Sequence, residues 1–286
     1  MTILAPLRGV TIRCFRETFA PEIVAAGFDE AITPFIAANA GFDPLRDREL
    51  RPREGGRASP FRVTPQFIGK DPAALRMSLE RIRDAGYATA DLNGGCPYPM
   101  VRNKGRGSGL LRTPDVLMRM LDVGCETMGA GNFSLKTRLG IDRPDELAAV
   151  IPRLADYPLR FLTIHARTAR QMYDGVCDWK AAAGLVGSAP FPIVLNGDLG
   201  CTGPLPLAAD GRMVGRSFVR SLGARDDADE LARRYLEASC SELGNDRAVL
   251  GRMKELLAYW KGLPRWSRRW NLIKICRTAD ELRSLL

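Results

Sequence analysis

Short apolar, β-branched runs recur along the chain, with helical patterns of apolar residues between them. The runs predict strands near Ile3–Ala5, Ala31–Phe35, Val63–Ile68, Thr89–Leu92, Ser134–Thr137, Phe161–His165, Ile193–Leu195 and Arg212–Val214. Asp71-Pro72 and Thr113-Pro114 each place a capping residue before a proline suited to the first helical turn. Eight strands alternating with helices make βα repeats, and such repeats build a parallel sheet. The expected fold is therefore α/β, a (β/α)8 TIM barrel, for which about 250 residues is typical. A doubly wound open sheet is the alternative, but no Gly-x-Gly-x-x-Gly follows the first strand.

After about residue 222 the pattern predicts helices only. Asp246 is placed to cap a helix whose apolar stripe is Val249, Met253, Leu256, Leu257 and Trp260. Arg247, Lys254 and Lys261 are seven apart and share another face. Thr278-x-x-Glu281 is a capping-box pattern for a last helix. The expected organisation is a barrel over residues 1–222 and a small all-α domain over residues 223–286.

Composition narrows the class. Hydrophobic residues at 45% and charged residues at 26% exclude a disordered chain. No apolar run approaches the roughly 20 residues of a membrane helix. The opening Met-Thr-Ile-Leu-Ala-Pro lacks the basic and apolar segments of a secretory signal. Seven cysteines at scattered positions, with no Cys-x-x-Cys, oppose a disulfide framework or a thiolate zinc site, so a cytoplasmic home is expected. A single histidine, His165, excludes any metal site built on two His ligands, and no metal is expected.

Charge adds a location. Residues 247–277 hold nine basic side chains and one acid, Glu255, so this stretch carries +8 of the net +9. Three of the four tryptophans (Trp260, Trp266 and Trp270) fall there too. Charge concentrated this way points to a polyanion partner for the helical tail.

In a barrel of this kind, chemistry sits at the carboxyl ends of the strands. The unusual polar residues fall there: Gln66, Asn93, Cys96, Lys136, His165, Asn196-Gly197-Asp198 and Gly215-Arg216. Lys136 stands in an apolar strand of a chain with 7 Lys against 35 Arg. It is either a strand-end lysine reaching for solvent or a fixed cation facing an anionic ring. Gly197 and Gly215 lie in the loops after the seventh and eighth strands, which frequently bind phosphate through backbone N–H groups; Arg216 adds a bidentate donor. They are otherwise ordinary turn glycines. Cys96 is either a small buried hydrophobe or a proton-donating thiol. A glycine-rich loop ended by Pro97 is a poor place to bury it, which favours the thiol.

Asp91-Leu-Asn-Gly-Gly-Cys-Pro97 with Gly105-Arg-Gly-Ser-Gly-Leu-Leu111 resembles the central motif of the tRNA-dihydrouridine synthases. Leu4-Ala-Pro-Leu-Arg-Gly-Val-Thr11, Ser134-Leu-Lys-Thr-Arg-Leu-Gly140, His165-Ala-Arg-Thr168 with Gln171 and Tyr173, Asn196-Gly-Asp198 and Val214-Gly-Arg216 follow in that family's order. The resemblance implies FMN as cofactor and NADPH as reductant, acting on the C5=C6 bond of a D-loop uridine in tRNA. It implies that Cys96 gives the proton to C5, and that Pro6, Leu7, Gln66 and Lys136 contact the isoalloxazine ring. It assigns His165, Asn196, Gly197, Asp198, Gly215 and Arg216 to the ribityl phosphate side. Asn93, Arg167 and Tyr173 would face the flipped uridine or its neighbours, and Arg252 and Lys254 would bind tRNA through the tail. A monomer with no DNA or membrane partner is expected. Length and tail are similar to the subgroup acting on uridine 16, although Thr33-Pro-Phe-Ile-Ala37 lacks the acid and Arg expected there.

The chain departs from the family at Leu7, where Met is usual, at Ile12, where Asp is common, and at Ser108, where Ala is usual. The Gly197–Gly215 segment is short and carries Pro204 and Pro206, which opposes a helix between the seventh and eighth strands. Two other readings stay open. One is a flavin barrel oxidoreductase acting on a small pyrimidine-like molecule, which has no need of a basic tail. The other is a non-catalytic tRNA-binding relative.

Overall fold

The computed structural model describes residues 1–51 and 59–286. Ten strand segments make one all-parallel sheet: β1 Thr2–Leu4, β2 Glu30–Ile32, β3 Ile36–Ala37, β4 Arg62–Thr64, β5 Gln66–Ile68, β6 Ala90–Gly94, β7 Phe133–Gly140, β8 Leu162–Thr168, β9 Ile193–Asn196 and β10 Gly211–Val214. Their order is β3-β5-β6-β7-β8-β9-β10-β1-β2-β4. The two ends of that order are continuous in the chain, because β2 runs into β3 and only Pro65 separates β4 from β5. The ring is therefore closed and has eight staves, as expected, two of them broken at proline. Pro65 has no N–H for the ladder, yet its carbonyl still accepts from Asp91 N at 2.9 Å, and Thr33 N reaches Thr64 O at 3.0 Å.

Ile3, Ala5, Ile32, Phe161, Val194 and Met213 fill the barrel interior. The outer ring begins with the short helices α1 Arg13–Thr18 and α2 Ala20–Ala25, and its longer members are α3 Pro72–Asp84 and α5 Pro114–Met128. Between α3 and α5 lie the single turn α4 Pro99–Arg102 and a 3-10 segment, Gly107–Arg112. The remaining barrel helices are α6 Ile151–Leu154, α7 Trp179–Val186 and α8 Arg216–Gly223. Asp71 caps α3 by accepting from Ala73 N at 3.0 Å. No helix stands between β9 and β10, where Pro204 and Pro206 lie.

The tail is α9 Ala228–Glu242, α10 Asp246–Trp260, α11 Pro264–Ile275 and α12 Ala279–Leu285. The apolar stripe of α10 is buried throughout. Its cap is Asn245 rather than Asp246: Asn245 Oδ1 accepts from Ala248 N at 2.9 Å, while Asp246 turns to Ala279 N at 3.2 Å. Thr278 caps α12, but Glu281 reaches back to Arg277 N, one residue short of the box.

The tail packs on the barrel through one apolar cluster that takes side chains from α1, α8, α9 and α10 together. Trp260 and Trp266 donate their indole N–H groups to Val219 O (2.6 Å) and Gly223 O (2.8 Å) of α8. A Cβ at Gly223 would collide with the Trp260 ring. Glu242 binds Arg13 of α1 and Arg252 of α10, each at 2.6 Å. Among the described residues, no helix is long and apolar enough to cross a membrane.

Candidate active site at the carboxyl ends of the strands

The carboxyl ends of β1, β6, β7, β8, β9 and β10 open into a cavity of about 630 Å³. Pro6, Leu7, Asn93, Cys96, Lys136, His165, Tyr173, Asn196, Gly197, Asp198, Gly215 and Arg216 all line it. Twelve of the residues singled out in the sequence, from seven separate segments, thus meet at one place. Gln66, Arg167, Arg252 and Lys254 do not line it. Gln66 is fully buried, and its amide is held by Asp91 and Asn93. Arg167 is also buried; its guanidinium is used by Asp174 O, Gly175 O, Cys177 and Asp198. Arg252 is paired with Glu242, and Lys254 donates to Lys274 O and Cys276 O, both at 2.9 Å, tying α10 to the end of α11.

Cys96 is 7% exposed, so the glycine-rich loop does bury it, but the thiol faces the cavity. Asn93 Oδ1 accepts from Cys96 N (2.9 Å) and Gly95 N (3.2 Å). The Cys96 carbonyl accepts from Ser108 N and Ser108 Oγ. Gly107 has φ +58°, and a Cβ there would come 2.8 Å from Cys96 Cβ. This close approach explains the Gly-Arg-Gly-Ser run as the buttress of the Cys96 loop. Gly107→Ala should cost about 1–2 kcal/mol through left-handed backbone strain and should move the thiol; urea unfolding together with the alkylation rate of Cys96 checks both. Burial pushes the thiol above its ordinary 9.0, so it keeps its proton at neutral pH.

Five cations (Arg8, Lys136, Arg138, Arg216 and Arg220) line the cavity against one carboxylate, Asp198. Lys136 Nζ donates to Asn196 Oδ1 at 3.0 Å. Burial, aided by Arg138, pulls the Lys136 ammonium down to about 8. An anion in the cavity would relieve both costs. Burial opposes charge on Asp198, but Arg167 and Arg216 hold its carboxyl below the usual range. Burial and four surrounding cations push His165 well below its ordinary 6.5, so the ring is neutral. Arg167 Nη1 lies 3.3 Å from His165 Nε2. A guanidinium can only donate, so Nε2 accepts and the proton sits on Nδ1. Tyr173 lies between Arg138 and Arg216, with its ring centroid 5.4 and 5.0 Å from their guanidinium carbons.

The eight-residue helix α8 starts at the cavity with no side-chain cap. Its first N–H groups, from Arg216 and Ser217 on the cavity wall, are oriented as an anion cradle requires. A Cβ at Gly197 (φ +114°) would sit 2.5 Å from Cys177 Sγ, and one at Gly215 would sit 3.1 Å from Ala5 Cβ. Gly197 is required by close packing as well as by its left-handed backbone, and Gly215 leaves little room for a side chain.

Sequence reasoning gave no role to Arg8, Phe35, Tyr98, Arg138, Arg220 or Tyr259, which also line the cavity. Two signals were present. Arg138 is two residues from Lys136, on the same strand face, and Arg220 is one turn beyond Arg216. Tyr259 had none, because it enters from α10 only through the docking of the tail.

The dihydrouridine synthase (Dus) family model matches residues 3–220. The tRNA-dihydrouridine synthase B of Pseudomonas aeruginosa is 30% identical over 198 residues, covering 69% of this chain and 58% of the relative. A probable tRNA-dihydrouridine synthase of Rhodobacter capsulatus is 30% identical over 230 residues, covering 75% and 66%. The tRNA-dihydrouridine(16) synthase of Ralstonia nicotianae is 28% identical over 202 residues, covering 69% and 61%. The matches thus span 58 to 66% of these relatives' lengths. Morphinone reductase (TM-score 0.53, 10% identity, 77% of this chain and 82% of that one) shares the barrel. So does the old yellow enzyme homologue of Zymomonas mobilis (TM-score 0.53, 12% identity, 77% and 85%). With a family model that covers the barrel from its first strand to its last helix, this chain belongs to the dihydrouridine synthase family.

Proposed function

We propose that this chain is an FMN-dependent tRNA-dihydrouridine synthase that uses NADPH to reduce the C5=C6 bond of a D-loop uridine. The observation that carries the reading is the meeting of a protonated thiol, Cys96, with the buried cation Lys136 in one cavity that also holds an uncapped helix N-terminus.

FMN suits these residues. The α8 N–H groups, Gly215 and Arg216 would hold the phosphate, with Gly197 and Asn196 on the same side. Pro6, Leu7 and Lys136 would face the ring, where the ammonium stabilises negative charge. When bound, the flavin supplies the hydride that adds to uracil C6. Negative charge then gathers on C5 and O4 of the uracil. Cys96 Sγ gives its proton to C5, and the thiolate is reprotonated from water. Asn93 and Tyr173 border the place the uracil must occupy, and the base has to leave its stack to reach it. The basic tail faces the phosphates of the RNA, which makes binding weaken steeply with salt. A barrel that acted on a small pyrimidine would show no such dependence.

The test is direct. Protein reconstituted with FMN should be yellow, and FMN affinity should weaken as pH rises through about 8, where Lys136 loses its charge. Lys136→Met should bind FMN more weakly and lose that pH dependence. A chain that takes up no FMN, or a variant with the same pH profile as the parent, would sink the assignment of Lys136.

A further inference from the structure

Beneath the cavity floor, Asn93 of the cavity wall is backed by buried polar side chains to which the proposed reaction gives no role. Asp91, on β6, is fully buried. Its Oδ1 accepts from Ser134 Oγ at 2.6 Å, and its Oδ2 accepts from Gln66 Nε2 at 2.7 Å. Gln66 Oε1 accepts from Asn93 Nδ2 at 2.8 Å. Asn93 Oδ1 accepts the N–H groups of Gly95 and Cys96. The far end of this chain fixes its direction. Backbone N–H groups can only donate, so the oxygen of Asn93 must face them and its nitrogen must face Gln66. The nitrogen of Gln66 must then face Asp91. Each amide has one orientation in which every partner is satisfied.

We propose that Asp91 is a positioning residue for Cys96, acting through Gln66 and Asn93 on the loop that carries the thiol. The inference rests on the proposed role of Cys96 as proton donor. In this arrangement Asp91 supplies the acceptor that keeps Gln66 from flipping. Gln66 in turn supplies the acceptor that keeps Asn93 from flipping. The loop is also pinned by Arg138 Nε on Gly95 O (3.0 Å) and by Ser108 on Cys96 O, so losing the Asn93 bonds loosens one side of it. Burial raises the Asp91 carboxyl to about 7, while Ser134, Gln66 and Lys136 pull it back.

The acceptor logic makes distinct predictions for near-isosteric changes. Asp91→Asn keeps the chain intact: its amide oxygen can accept from Gln66, and its nitrogen can donate to Ser134 Oγ. Gln66→Met removes both the donor to Asp91 and the acceptor for Asn93, and leaves those two buried groups unpaired. Gln66→Glu combined with Asp91→Asn exchanges donor and acceptor and keeps the chain, because the new amide nitrogen faces the carboxylate introduced at position 66 and the new amide oxygen accepts from Ser134.

The readout is the rate at which iodoacetamide alkylates Cys96, followed on the Cys96 peptide by mass spectrometry in the full chain. It needs neither tRNA nor turnover. The proposed function is tested separately by tRNA reduction in Cys96→Ala. Gln66→Met should alkylate about tenfold faster than the parent, the order of one lost buried hydrogen bond. Asp91→Asn and the double variant should stay within about twofold of the parent, below the size of one such bond. Asp91→Leu should match Gln66→Met; where it fails to fold, Gln66→Met and the double variant decide. A Gln66→Met rate equal to the parent's, or a double variant no slower than Gln66→Met, overturns the proposal.

Discussion

Cys96→Ala should lower the rate of uridine reduction by about 10²–10⁴-fold, the range a positioned general acid supplies. It should leave FMN uptake unchanged, because the proposed phosphate and ring contacts would lie on Lys136, Asn196, Gly215 and Arg216. The sign of the pH dependence follows from burial. The thiol is raised above 9.0, so it is fully protonated at neutral pH, and the rate should fall only as pH passes above that value. Cys96→Ala should lose this alkaline limb along with the rate. Single-turnover oxidation of reduced, FMN-loaded protein by tRNA measures both. A variant with undiminished turnover would remove the thiol from the mechanism.

Trp260→Ala should be the most destabilising single change in the tail, costing about 3–5 kcal/mol, the usual range for emptying a buried tryptophan site. The indole is fully buried, packs tilted at 54° with its ring centroid 4.8 Å from that of Trp266, and satisfies the Val219 carbonyl. Its loss opens a cavity and leaves that carbonyl without its donor. The effect should not stop at stability. Val219 belongs to α8, the helix whose other end meets the cavity, so FMN affinity should fall as well. Urea unfolding and flavin titration of the same protein check the pair of effects. Unchanged flavin affinity in a folded Trp260→Ala protein would separate α8 from the tail.

The barrel was legible because each stave is a short apolar run bounded by turns, and a parallel stave needs little else. The two proline breaks were less so. Val63–Ile68 reads as one strand, and only the missing N–H of Pro65 divides it. The absent helix after β9 was foreshadowed by Pro204 and Pro206. The candidate site was legible where a polar residue stood at the end of an apolar strand, as with Lys136, His165 and Asn196. It was less legible where partners decide. Gln66 and Arg167 carry the right chemistry in the right place, but neighbours on other strands and loops use up their donors. The family resemblance assigns Arg252 and Lys254, in a basic segment, to tRNA binding. The structure commits one to Glu242 and the other to backbone carbonyls, and leaves Arg247, Lys261, Arg268, Lys274 and Arg277 among the exposed cations of that stretch. Tyr259 could not be read at all, since its place depends on the packing of α10 against α8, elements joined by no local pattern.

The two indole bonds to α8 bear on how this protein can be rebuilt. A hybrid that joins this barrel to a relative's helices after Gly223, at the end of α8, would inherit a Gly223 shaped to one tryptophan and two carbonyls awaiting particular donors. It would also lose Tyr259 from the cavity wall. The seam suited to such an exchange lies upstream of α8, so that the helix and its clasp travel together as one cassette.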